Sequence, residues 1–139
     1  MAIDFHPSWM DDDLRLFQET VVRFLDKEMM PADEEARRRG HVGHEIWRRA
    51  GELGLLCTDI PAEYGGGGGD FRHEAIVHHE MAKRGLTGMN VSVHSIVAHY
   101  LLNHGTEEQK RRFLPRLARG ELIGAIAMTE PGAGSDLQA

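Results

Sequence analysis

The chain has 139 residues, 41% hydrophobic and 27% charged, with 22 acidic and 16 basic side chains giving a net charge of −6. That is one domain's worth of chain, enough to bury roughly 68–70% of the surface its unfolded form exposes. The composition excludes a disordered chain, the acid excess excludes a nucleic-acid scaffold, and the single cysteine, Cys57, excludes a disulfide framework or a cysteine-rich metal site. No apolar run approaches the roughly 18 residues of a membrane span. Met1–His6 has neither the basic nor the apolar region of a secretory leader, so a soluble protein of a reducing compartment is expected.

Most of the chain reads as helix. Asp11, Asp12 and Asp13 place negative charge where a helix N-terminus favours it. Leu14, Phe17, Val21, Phe24 and Leu25 follow at helical spacing, predicting a first helix to about Met30, where Pro31 ends or bends it. Ala32–Arg39 is a charged stretch that Gly40 stops. A short helix carries Ile46, Trp47, Ala50 and Leu53 and closes at Gly54. Leu55–Ile60 is a brief apolar passage before Pro61. Tyr64 then leads into Gly65–Gly69, read as a flexible connector because no basic residue flanks it to serve a phosphate. Asp70 is the expected N-cap of a helix carrying Phe71, Ala75, Val77 and Met81.

Gly88–Asn103 is the most apolar helical stretch, and its breadth predicts burial on more than one side. Thr106-Glu107-Glu108-Gln109 forms a capping box, starting a helix that runs to Ala118 or Arg119 and stops at Gly120. Pro115 inside it predicts a bend or a 3₁₀ finish. Leu122–Met128 is short, apolar and bounded by turn chemistry, so it reads as a buried strand. Nothing else in the chain offers it a partner, and a lone strand leaves its backbone unpaired. A longer protein continuing into a second domain is therefore expected.

The loop after that strand, Met128–Asp136, holds Gly132 and Gly134. Both can take positive φ and gather N–H groups into an anion-binding nest, with a plain tight turn as the alternative. It lacks the Gly-Lys-Ser/Thr of a Walker loop and the third glycine and immediate helix of a dinucleotide fingerprint. Thr129-Glu130-Pro131-Gly132-Ala133-Gly134-Ser135-Asp136 resembles the signature of the acyl-CoA dehydrogenase family of flavoproteins. Leu53–Leu56, Ile60–Gly66, Ser92–Ser95, Gly105–Lys110 and Phe113–Pro115 fall in the order the resemblance requires, which covers the chain from Leu14 onward. Ser92–Ser95, Asn103–Gly105 and Ala125–Met128 are most similar to the long-chain branch.

The resemblance implies an all-α fold: residues 1–121 as the family's N-terminal helical domain, and 122–139 as the first strand of a middle β-domain. It implies FAD-dependent α,β-desaturation of acyl-CoA thioesters, of the fatty acid β-oxidation type, with electrons leaving to electron-transfer flavoprotein. The parent would be a homo-oligomer of the cytoplasm, or of the mitochondrial matrix in a eukaryote. By resemblance, Ile126, Ala127, Met128, Thr129, Gly132, Ala133, Gly134 and Ser135 contact FAD. Thr129 meets the pyrimidine edge, and Ser135 lies where the FAD phosphates and the CoA chain pass. Met89, Ser92 and Ile96, at i, i+3 and i+7, line the acyl pocket, with plain core packing as the alternative. The family's catalytic base belongs to a C-terminal domain, so no catalytic residue is expected here. Glu130 is read as structural, and the chain alone should hold FAD weakly and be inactive. The rival reading is a helical interaction module with the same fold and no flavin chemistry.

The nine histidines do not assemble a metal site on spacing. His73 and His78 are five residues apart, off one helix face, as are His94, His99 and His104; His41 and His44 lack a third ligand. Solvated or helix-face histidines are expected, Cys57 reads as a buried inert thiol, and Arg37–Arg39 and Lys110–Arg112 read as solvated faces.

Overall fold

The computed structural model describes residues 7–138; the expectations placed on Met1–His6 and on Ala139 lie outside them. The described residues form the helices α1 (Asp12–Phe24), α2 (Met30–Arg39), α3 (His44–Glu52), α4 (Phe71–Lys83), α5 (Val91–His104) and α6 (Glu107–Ala118). None is long and apolar enough to cross a membrane.

Pro31 does not end the first helix. A π-turn, Leu25–Met29, joins α1 to α2, and the Met30 N–H donates to the Leu25 carbonyl five residues back. Widening the helix at that point gives the pyrrolidine ring room against the preceding turn. The helix then runs on to Arg39, where Gly40 closes it at φ 80°. Arg37 pairs with Asp33, and Arg38 and Arg39 pair with Glu35, along an exposed face.

Apolar spacing sorts the side chains into two cores. Leu14, Val21, Phe24 and Met29 pack with Trp47, Ile76 and Met81 in the larger, between α1, α3 and α4. Cys57, Ile60, Tyr64, Ala98, Leu114 and Leu117 form the smaller, between α5 and α6. A buried carboxylate braces the first: Glu80, 2% exposed, accepts from Gln18 Nε2 at 2.8 Å and Arg84 Nη1 at 2.6 Å. Arg84 Nε reaches Asp26 at 2.6 Å, so the charge brought inside is paired and hydrogen-bonded. Side chains cap α1, α4, α5 and α6, and two of these starts carry reciprocal bonds. Thr106 and Gln109 form the expected box, and His73 completes a second one with Asp70 that the sequence pattern did not announce.

The glycine run is not a flexible connector. Its five N–H groups donate to the carbonyls of Ala62, Pro61, Cys57, Ile60 and Thr58, in that order from Gly65 to Gly69. Those donors are consumed internally, so the run cannot cradle a phosphate. The backbones approach so closely that a Cβ on Gly66 would lie 2.2 Å from the Ile60 carbonyl oxygen. Cys57 itself sits at φ 52° to make this fold-back, an uncommon conformation for a residue with a side chain. Gly66→Ala should therefore lower stability by about 1–3 kcal/mol, the usual range for forced overpacking. Thermal unfolding followed by circular dichroism checks this, and an unchanged midpoint would contradict it.

Candidate functional site

The site is built where the chain leaves α6. Gly120, at φ 66°, turns the backbone so close to α3 that a Cβ would meet the Trp47 carbonyl oxygen at 2.2 Å. Leu122 N–H donates to the Arg116 carbonyl, and the Leu122 side chain packs on the smaller core. Gly124 then passes against α5, where a Cβ would sit 2.9 Å from that of Val97.

At that crossing the Gly124 N–H donates to His94 Nδ1 at 3.0 Å, while His94 Nε2 lies 3.1 Å from the Leu117 carbonyl oxygen. A backbone N–H can only donate and a carbonyl can only accept. The two contacts together require a neutral ring with its hydrogen on Nε2. His94 is 1% exposed, its ring 5.1 Å from that of Trp47, and burial holds its pKa below the ordinary 6.5. This corrects the expectation of a solvated or helix-face histidine: it is a core residue.

Beyond Gly124 the expected buried strand does not form. Among the described residues there is no strand, Leu122–Met128 has neither helix nor ladder, and Ile126 and Met128 are exposed. The backbone groups of Ala125–Thr129 find no hydrogen-bond partner among the described residues. A strand needs a second strand, and the helices supply none.

The loop closes on itself. Glu130 and Ala133 exchange two backbone hydrogen bonds of 3.1 Å around Pro131 and Gly132, which is the plain tight turn rather than the nest. Neither Gly132 nor Gly134 takes a positive φ, and each faces open space where a Cβ would be. Thr129, Glu130, Gly134 and Ser135 are all exposed, with Ala133 half-buried.

Two open grooves flank α5. One, of about 490 Å³, lies between Val97, Leu101 and His104 on the helix and Ala125, Ile126 and Ala127 on the outgoing segment. The other, of about 410 Å³, holds Ser92 and Ile96, two of the three residues expected on one face. Met89 is not with them. Asn90 caps α5, which begins at Val91, so Met89 precedes the helix and packs in the larger core. α5 places Val91 in the larger core and Ala98 in the smaller, while Ile96 is 45% and Tyr100 61% exposed.

One side of the second groove carries ionisable groups, which apolar periodicity could not reveal. His99 Nε2 pairs with Asp59 Oδ2 at 3.1 Å, and His78 Nε2 with Glu74 Oε2 at 3.4 Å. Thr58 Oγ1 donates to Glu74 Oε1 at 3.2 Å, while Asp59 Oδ1 is buried without a partner. Burial alone would raise the pKa of Glu74, but the bonds from His78 and Thr58 outweigh it and leave the carboxyl below 4.5. Cys57 beside them is pushed up to about 12 by burial and by Glu74 and Asp59, which makes it an inert thiol. No group of three or more His, Cys, Asp or Glu among the described residues could hold a metal ion. Lys110 and Arg111 pair with Glu107 and lie 5.9 and 5.7 Å from the Tyr64 ring centroid.

With this geometry in view, residues 11–121 match the family model described as acyl-CoA dehydrogenase, N-terminal domain. The chain belongs to the acyl-CoA dehydrogenase family. The mitochondrial long-chain specific acyl-CoA dehydrogenase of Rattus norvegicus is 47% identical over 124 residues, covering 88% of this chain and 29% of that one. An acyl-CoA dehydrogenase of Geobacillus kaustophilus superposes with a TM-score of 0.87 at 37% identity, covering 95% of this chain and 35% of that one. One from Bacillus anthracis, solved in complex with FAD, gives 0.82 at 34% identity, over 96% of this chain and 23% of that one. The chain thus spans about a third or less of the length of these acyl-CoA dehydrogenases. All-α architecture is shared with the family's N-terminal domain.

The paired Glu74 gives a signed pH dependence. Its folded pKa lies below 4.5, so its contribution is present above pH 4.5 and is lost as pH falls through the folded value. Glu74→Gln should cost about 1–3 kcal/mol at neutral pH, the usual range for leaving buried partners unsatisfied. Urea unfolding of both proteins from neutral pH downward should show that gap closing below pH 4.5. A gap that widens on acidification would contradict the assignment.

Proposed function

We propose that this chain is the N-terminal domain, residues 1–121, plus the opening of the β-domain, 122–139, of an FAD-dependent acyl-CoA dehydrogenase. Its reaction is α,β-desaturation of an acyl-CoA thioester, with electron-transfer flavoprotein as acceptor and a homo-oligomer as the working form. Its compartment is the cytoplasm, or the mitochondrial matrix in a eukaryote. The observation that carries the reading is the family match together with the state of Ala125–Ser135. That segment presents a run of backbone unpaired among the described residues, exposed Ile126 and Met128 and two exposed hydroxyls.

Those features suit one wall of a flavin site. The apolar side chains cover ring surface, and unengaged N–H groups and hydroxyls supply donors. Bound FAD supplies the hydride acceptor. Thr129 supports the reading with an exposed hydroxyl at the start of the turn, a fixed donor for charge that develops during reduction. Ser135 follows the turn by two residues and is exposed, where a hydroxyl serves phosphate or thioester groups. Ser92 and Ile96 line the acyl groove, and the chain contributes binding and orientation while the proton-abstracting glutamate belongs to a C-terminal domain. Glu130 is exposed in the turn and keeps its structural reading.

Two measurements test this. Reading the gene past codon 139 should show a β-rich domain and a helical bundle carrying a glutamate. A stop codon there in an expressed gene would favour a helical interaction module instead. In the flavoprotein, Thr129→Ala should slow flavin reduction by about 10–100-fold, in the range below removal of a dedicated oxyanion donor. Ser135→Ala should weaken flavin or CoA binding several-fold. Stopped-flow flavin bleaching and flavin-release titrations read these, and two variants indistinguishable from wild type would contradict the assignment of the loop.

A further inference from the structure

We infer that His94 is a positioning residue for the flavin-facing segment, pegging Gly124 so that Ile126–Ser135 leaves the helical body at one place and in one direction. The inference rests on the flavin reading of that segment. Among the described residues, the Gly124–His94 bond is the last hydrogen bond between the outgoing chain and the helices; beyond it, bonds are made only within the segment itself. Thr129 lies five residues further on, a reach of up to about 17 Å at roughly 3.3–3.6 Å per residue. A small displacement at the peg is therefore a large one at the loop, and a misplacement of about 1 Å in a working site can cost about 10²-fold in rate.

The peg is built for the purpose from four elements. α5 carries the imidazole, α6 fixes its tautomer through the Leu117 carbonyl, α3 lays Trp47 against the ring, and the segment brings a glycine because no Cβ fits beside Val97. Glu74 on α4 is the charged group that acts on the ring, and its field favours the imidazolium while burial opposes it more strongly. Protonating Nδ1 would place a donor against the Gly124 N–H. The folded pKa is below 6.5, so the peg holds above that pH and releases as pH falls through the folded value.

Amide exchange measured by NMR on the 139-residue chain tests this without FAD. His94→Asn places an amide oxygen near the position of Nδ1 and can still accept from Gly124; His94→Gln reaches toward Leu117 and leaves Gly124 unbonded. Gly124 protection should fall roughly tenfold in His94→Gln and stay near wild type in His94→Asn, with amides of α1 unchanged in both. Equal protection in all three proteins, or equal loss in both variants, would overturn the inference. Should His94→Gln fail to fold, wild type alone decides. Gly124 protection must drop together with the titration of the His94 ring, against α1 amides as reference, and protection that persists through that titration overturns the inference. Failure of the flavin reading is registered separately, by the Thr129 and Ser135 variants.

Discussion

Every N–H from Gly65 to Gly69 is donated to a carbonyl between Cys57 and Ala62, whereas none from Ala125 to Thr129 finds an acceptor among the described residues. A backbone donor left without a partner costs free energy wherever water is excluded, so the two stretches have opposite consequences. The first is a closed piece of architecture: its glycines permit backbones to touch, and nothing remains to bind a ligand. The second is an open edge, tolerable only in water or against something that pairs with it. His94 stands where the second begins. It satisfies the last N–H that the helical body can reach and leaves the rest free.

The helices were legible because their signals are local. Asp70 and Thr106 caps, the apolar rows of α1 and α3 and the αL glycines at 40, 54 and 120 all act within one turn of themselves. Of the two outcomes expected at Pro31, an end or a bend, the end does not occur: a π-turn absorbs the missing donor, with Leu25 and Met29 packed in the core. His94 was missed for a related reason. Counting intervals of five residues asks which face a histidine occupies, while its role depends on Leu117 and Gly124, 23 and 30 positions away. The one available hint was the apolar company of α5, where a polar ring must find partners on both nitrogens or pay for burial.

The candidate site divides in the same way. Thr129–Ser135 was visible as a motif, and its exposure is plain in the structure, but its expected glycine conformations are not adopted. A turn closed by two bonds of 3.1 Å presents the loop as a compact knuckle rather than an anion nest. The groove containing Ser92 and Ile96 was read as a face of one helix. Its ionisable side comes from Asp59 on the fold-back and Glu74 and His78 on α4, and no single-helix pattern contains that information. Membership of the acyl-CoA dehydrogenase family gives these parts a common setting: helices that stand on their own cores, and one edge that faces outward.

The central claim is that this chain contributes one wall of a flavin site on a fold that needs no flavin to stand. Binding must offset a rigid-body cost of about 4–15 kcal/mol, which one exposed wall of donors does not cover. Titrating the 139-residue chain with FAD, followed by flavin fluorescence and absorbance, tests this directly. The account predicts a helical protein that shows no saturable binding at micromolar FAD; a stoichiometric yellow complex of micromolar or tighter affinity would contradict it.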